Sequence, residues 1–350
     1  MGSDRYGIVE AVVTTESLSS TIGLAFADPE LEASVTTILR DVEALLVDSV
    51  ASANPLVAEA ARHLVDAGGK RFRPLLVALA AHFGEPHNEQ VVLAASVVEL
   101  THLATLYHDD VMDEAVVRRG APSANARWGN SVAILIGDYL FARAAAVVTE
   151  LGVDAVRIQA NTFSRLVHGQ IAETAGPLAG EDAISHYLRV LSQKTGSLIS
   201  TSARFGGMFG GVPAEQTEAL AAYGETFGIA FQLSDDLLDI ASESAQSGKT
   251  PGTDLREGVP TLPVLYALAS EDSDAASVRL REILAAGPVT DDALHAEALG
   301  LLRESAALKR ARETVRGYAE RARSSLAPLP YVPARVALET LCDFIADRTG

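Results

Sequence analysis

Six aspartates fall into two segments of identical spacing, Asp109-Asp110-Val111-Met112-Asp113 and Asp235-Asp236-Leu237-Leu238-Asp239. On a helix, residues four apart stand on nearly one side, about 6 Å apart along the axis. Each DDxxD segment therefore presents two carboxylates in register with a third beside them. Acidic runs are usually solvated helix faces. Here Leu103, Ala104, Leu106 and Tyr107 lead into the first segment, and Ile229, Phe231 and Leu233 into the second, so both interrupt apolar helices. Carboxylates crowded in that setting repel one another unless something cationic lies between them. Hard oxygen ligands favour Mg²⁺, which keeps several waters and shares its shell with substrate phosphates. The pattern points to a magnesium-diphosphate site.

Cations stand where such a site needs them. Gly68-Gly69-Lys70-Arg71-Phe72-Arg73-Pro74 places three cations after a glycine pair and just before a helix, an arrangement that favours an oxyanion. Arg118-Arg119 follows Asp113 closely. His102 lies two helical turns before Asp109, on the same side of the helix. Lys194-Thr195, Gln232 and Lys249 could complete a cage for a leaving anion.

Helices must position these groups. An amphipathic stretch runs from Leu31 to about Val50. Asn54-Pro55 then starts a second helix that Gly68-Gly69 ends. Further helices are predicted over about 74–82, 89–113, 130–151, 154–174, 182–206 and 215–241, with more beyond Thr261, interrupted near Gly287-Pro288 and 328–333. Arg118-Arg119-Gly120 opens a loop, and 242–258 is a Ser/Gly/Asp-rich loop beside the second acidic segment. Residues 1–30 form an amino-terminal arm, a frayed helix or a disordered segment, with no function assigned.

Composition agrees with an all-α chain. Hydrophobic residues make up 48% and aromatics only 5%, and Ala, Leu and Val suit close helix packing better than sheets. The net charge of −18 excludes a non-specific nucleic-acid binder but permits a focused positive pocket for an anionic substrate. The single cysteine, Cys342, excludes an intrachain disulfide framework and fits a reducing cytoplasm. No secretory signal and no membrane span are expected, because the apolar runs are short.

The motifs GGKRFRP, HLATLYHDDVMDEAVVRRG, GDYLFARA, KTG, FQLSDDLLD and GKTPGTDLREG occur in one order between about Ala53 and Ala269. In that order they resemble the trans-isoprenyl (polyprenyl) diphosphate synthase family of long-chain type. The resemblance implies one helical domain over 31–350, the antiparallel bundle around a deep central cavity of the isoprenoid synthase fold. It also implies a homodimer and three Mg²⁺ ions per active site.

Carried over by position, Lys70, Arg73, His102 and Arg119 resemble the isopentenyl diphosphate site. Arg118, Lys194, Thr195, Gln232 and Lys249 resemble contacts to the allylic diphosphate. Asp109, Asp110, Asp113, Asp235, Asp236 and Asp239 resemble the two magnesium clusters, with Asp109, Asp113 and Asp235 as direct ligands. The implied reaction is head-to-tail condensation of isopentenyl diphosphate with an allylic diphosphate.

Bulky residues directly upstream of the first cluster floor the product tunnel in the family. Here Ala104 and, farther back, Thr101 and Val97 are not aromatic, so the tunnel is expected to be open, with Phe141 as a deeper plug. Each helical turn adds about 5.4 Å of depth. The expected product is an all-trans chain of about C40–C50, suited to a menaquinone or other quinone side chain, with transient membrane contact for its release. A short-chain farnesyl or geranylgeranyl diphosphate synthase, a terpene cyclase and a non-catalytic partner subunit are the alternatives. The intact GGKRFRP and few aromatics disfavour a cyclase, and complete acidic clusters disfavour an inactive subunit.

Overall fold

The computed structural model describes residues 26–241 and 251–348; Lys249 and residues 1–25 of the arm lie outside them. The described residues form α-helices, one π-helical turn and one two-stranded ribbon. The chain divides into two compact units, each discontinuous in sequence.

The first unit takes in the described residues up to Gln159, together with Ser202–Ala214 and Tyr331–Ala337. Its helices are α1 (Pro29–Ser49), α2 (Pro55–Asp66), α3 (Phe72–Ala81), α4 (Glu89–Met112), α5 (Ala124–Trp128), α6 (Asn130–Thr149) and the start of α7 (Val153–Ala175). The starts follow the capping rules. Asp28, Asn54 and Asn88 accept backbone N–H groups at the heads of α1, α2 and α4, with proline at the first position of α1 and α2. α4 is the axis of this unit and packs against α1, α3 and α6. It is apolar enough to cross a bilayer by length and composition, but two thirds of its apolar window is buried in protein, as in a core helix. α6 passes the same test, yet presents Ile134 (43% exposed) and Leu135 (64%) to solvent.

Two local departures from the sequence expectation shape this unit. α3 begins at Phe72 and not Pro74, because Arg71 caps it in the left-handed region with φ 45°. The expected loop at Arg118-Arg119-Gly120 is the turn of an antiparallel ribbon, β1 (Val117–Arg118) with β2 (Ala121–Pro122). Arg119 (φ 53°) and Gly120 (φ 76°) both lie at positive φ, as a tight two-residue hairpin requires.

The second unit comprises Ala160–Thr201, Glu215–Pro330 and the chain from Leu338 on. It holds the rest of α7, α8 (Ala183–Leu191), the π turn Ser192–Gly196 and the start of α9 (Ser197–Phe209). It also holds nearly all of α10 (Ala214–Ala241), then α11 (Thr253–Glu257), α12 (Leu262–Leu268), α13 (Ala275–Ala285), α14 (Asp292–Glu304), α15 (Ala306–Ser325) and most of α16 (Pro333–Asp347). The helix expected over 182–206 is thus broken by the π turn. Such turns hold one extra residue and recur at functional sites. This one seats against α10 because Gly196 and Gly228 face each other: a Cβ on Gly228 would meet Gly196 Cα at 2.9 Å.

Candidate active site

In the first unit a cationic shelf is built behind the acidic end of α4. Arg119 donates through Nη1 to the carbonyls of Leu64, at 2.9 Å, and Gly68. Its guanidinium lies against Gly69, where a Cβ would stand 2.7 Å from Arg119 Cζ, and the backbone there, at φ 139°, favours glycine. Arg73 keeps its Nε buried without a hydrogen-bond partner, a donor the chain leaves unused. Lys70 is exposed and His102 half-buried.

Sequence reasoning missed the residues that hold this shelf together. Glu99, buried on α4, accepts from Arg71 Nη1 at 2.9 Å and lies 3.8 Å from Arg119. Arg71 also pairs with Glu43 of α1 and donates to the Val65 carbonyl at 3.0 Å. Arg71 therefore braces the shelf and is spent on two carboxylates. A glutamate on a buried helix face, surrounded by alanine and valine, was the available signal.

The electrostatics follow from burial and crowding. Burial lowers the pKa of Arg73 to about 10, opposed by Glu99 and assisted by Arg119, so it stays charged at neutral pH. Burial likewise lowers Arg119. His102 is held well below its ordinary value, first by burial and then by Arg73 and Arg119. It is a neutral hydrogen-bonding group and not a further cation. For Arg71, burial would lower the pKa, but Glu99 and Glu43 together raise it.

On the acidic end, Arg118 Nε meets Asp110 Oδ1 at 2.6 Å. Asp110 is fully buried, and its Oδ2 has no hydrogen-bond partner. Burial raises its pKa, against the pull of Arg118. Asp113 is exposed at the cap of α4, and Asp109 is half-buried one turn earlier. Among the described residues no three metal-binding side chains converge into a closed cage.

The positions expected to line an open tunnel are covered. Val97, Thr101 and Ala104 are fully buried. Gln159 reaches across from α7, donates to Thr101 Oγ1 at 2.5 Å, and keeps its own Oε1 buried without a partner. Phe141, expected as a deeper plug, packs its ring on His108, 5.6 Å between centroids, the residue just before Asp109.

In the second unit all three aspartates of the second segment are engaged. Asp235 receives Arg348 Nη2 at 2.6 Å. Asp236 accepts from the Tyr187 hydroxyl and from Gln232 Nε2 at 3.0 Å. Asp239 caps α11, accepting the N–H groups of Thr253 at 3.2 Å and Asp254 at 3.1 Å. Burial pushes the Asp236 carboxyl up to about 6, against the two hydrogen bonds. The π turn carries Lys194, which pairs with Glu173, and Thr195, which donates to Gln232 Oε1 at 3.3 Å. Glu225 of α10 steadies the turn by accepting from Ser192 Oγ at 2.6 Å. Thr195, Gln232 and Asp236 of the second acidic segment are thus joined by hydrogen bonds, while the Lys194 side chain turns to Glu173. Tyr187 and Arg348 were not foreseen.

Comparison with known proteins gives one family. The polyprenyl synthetase family model matches residues 54–301. A nonaprenyl diphosphate synthase of Mycobacterium tuberculosis is 52% identical over 94% of this chain and 97% of its own. Among solved structures, a geranylgeranyl pyrophosphate synthase of Corynebacterium glutamicum, complexed with calcium and isoprenyl diphosphate, is 45% identical with a TM-score of 0.85, over 93% of this chain and 100% of its own. A decaprenyl diphosphate synthase of Rhodobacter capsulatus is 36% identical with a TM-score of 0.83, over 92% and 99%.

Proposed function

We propose that this chain, which belongs to the polyprenyl synthetase family and is a trans-prenyltransferase of the long-chain type, condenses isopentenyl diphosphate with an allylic diphosphate to an all-trans product of about C40–C50. The observation that carries this reading is that Arg73 and Arg119 share one compact unit with Asp109, Asp110 and Asp113, Asp109 lying close enough to act on Arg73 and Arg118 meeting Asp110 at 2.6 Å.

Ionisation of the allylic ester is the demanding step, since the departing diphosphate gathers charge that must be met by preorganised cations. Arg118, Lys194, Thr195, Gln232 and Lys249 are assigned to that leaving group, and Lys70, Arg73, His102 and Arg119 to isopentenyl diphosphate. The neutral His102 offers a hydrogen bond without adding repulsion to the crowded arginines. The donor set suits a hard divalent ion: carboxylates of the DDxxD segments, one of them, Asp110, with a buried oxygen that no hydrogen bond meets. Asp109 and Asp113 in the first unit and Asp235 in the second would each hold Mg²⁺, three ions in all, to supply charge neutralisation for the departing diphosphate. The buried apolar positions around Ala104 keep water from the allylic cation.

The exposed apolar face of α6, with Ile134 and Leu135, supports self-association as a homodimer. A quinone side chain is the product's assigned use, made in the cytoplasm and released by transient membrane contact. Purified protein given labelled isopentenyl diphosphate, farnesyl diphosphate and Mg²⁺ should yield C40–C50 material on a chromatogram. A product that stops at C15–C20 would replace this reading with the short-chain one, and no product with the non-catalytic subunit.

A further inference from the structure

Tyr187 of α8 lies outside every motif that marks the site, yet its hydroxyl donates its proton to Asp236 Oδ2 of the second acidic segment. Asp236 Oδ1 takes a second hydrogen bond from Gln232 Nε2 at 3.0 Å. The carboxylate therefore dictates which way the Gln232 amide faces, with its nitrogen towards Asp236 and its oxygen away. The outward Oε1 accepts from Thr195 Oγ1 at 3.3 Å. Each donor in this series meets an acceptor, and the series runs from Tyr187 of α8 through Asp236 and Gln232 of α10 to Thr195 in the π turn.

We propose that Tyr187 is a positioning residue for the allylic diphosphate. By fixing Asp236 it sets the orientation of the Gln232 amide, and through that amide the rotamer and hydroxyl direction of Thr195. Without the Tyr187 hydroxyl, Asp236 Oδ2 loses a donor in a site where a missing partner is costly. Asp236 can then turn, the Gln232 amide is free to flip, and Thr195 is no longer held for the diphosphate. Tyr187 acts through these neighbours and touches no substrate. The inference rests on the assignment of Thr195 and Gln232 to the allylic leaving group.

The test is calorimetric titration of inorganic pyrophosphate in the presence of Mg²⁺, together with steady-state kinetics, on the unmodified protein, Tyr187→Phe, Thr195→Val and the double variant. Tyr187→Phe should weaken pyrophosphate binding and raise KM for the allylic substrate on the order of tenfold, the size of one lost hydrogen bond to a charged group. KM for isopentenyl diphosphate should stay within about twofold, below the effect of one lost hydrogen bond. In the double variant the second substitution should add little, because both act on one series of contacts. Unchanged pyrophosphate affinity in folded Tyr187→Phe overturns the inference, as do fully additive losses. If Tyr187→Phe does not fold, Gln232→Met severs the same series one link on and carries the same expectations. Unmodified protein that neither binds pyrophosphate nor makes prenyl diphosphate would instead sink the underlying functional reading.

Discussion

Arg348 and Asp235 meet at 2.6 Å, so a residue from the carboxyl-terminal end of the chain holds the first carboxylate of the second acidic segment. The same guanidinium donates to Ser234 Oγ at 2.6 Å and lies over the Phe231 ring, 4.9 Å from its centroid. Arg348→Ala should destabilise the second unit by about 1–2 kcal/mol in urea, the value of a charged hydrogen bond discounted for the half-exposed carboxylate. Arg348→Lys should recover part of that. An unchanged urea midpoint would show that the pair does nothing for the fold.

Glu99 is the counter-charge on which the cationic shelf depends, with Arg71 at 2.9 Å and Arg119 at 3.8 Å. Removing it leaves Arg71 held by Glu43 alone and takes a carboxylate from beside Arg119. Glu99→Ala should cost about 1–3 kcal/mol of stability. Glu99→Gln, which keeps the shape, should fold better and raise KM for isopentenyl diphosphate more than KM for the allylic substrate. Equal changes in the two would contradict the assignment of the shelf.

The Asp236 carboxyl titrates near 6 in the folded chain against an ordinary 3.8. Because the folded value is raised, the unfolded chain ionises first as pH increases. The protonated form supports the fold fully below about pH 4, and that contribution, about 3 kcal/mol, is gone once pH passes about 6. Plotted against pH, the stability of the unmodified protein minus that of Asp236→Asn should fall across this window and then level. A flat difference would place the carboxyl at its ordinary value.

Ala104 has no exposed surface, so the chain-length substitution Ala104→Phe inserts bulk into a packed position. It should shorten the product by one or more five-carbon units and also cost about 1–3 kcal/mol of stability through overpacking. Chromatography of the dephosphorylated products reads the first effect and thermal unfolding the second. An unchanged product length would remove α4 from the tail's path.

Much of the framework was legible because its signals are local. Asn54-Pro55 announces a helix start, and the apolar flanks of both acidic segments mark core helices. What escaped depends on contacts across long stretches of chain. No local pattern tells that Gln159 will lean on Thr101, that Arg348 will fold back to Asp235, or that Tyr187 will reach Asp236. The π turn was hidden for a different reason. Its sequence, Ser192-Gln193-Lys194-Thr195-Gly196, is compatible with plain helix, and only the tight seat of Gly196 against Gly228 selects the wider form. The ribbon at Arg118-Arg119-Gly120 was visible as a break but not as strands, since it is only two residues on each side.

The central claim is that the carboxylates of the acidic segments enable diphosphate to leave, and the rate of labelled isopentenyl incorporation by Asp109→Ala at saturating Mg²⁺ tests it most directly. A folded variant should be slower than the unmodified protein on the order of 10²-fold or more, as when a single transition-state contact is lost. Incorporation at the unmodified rate would contradict it.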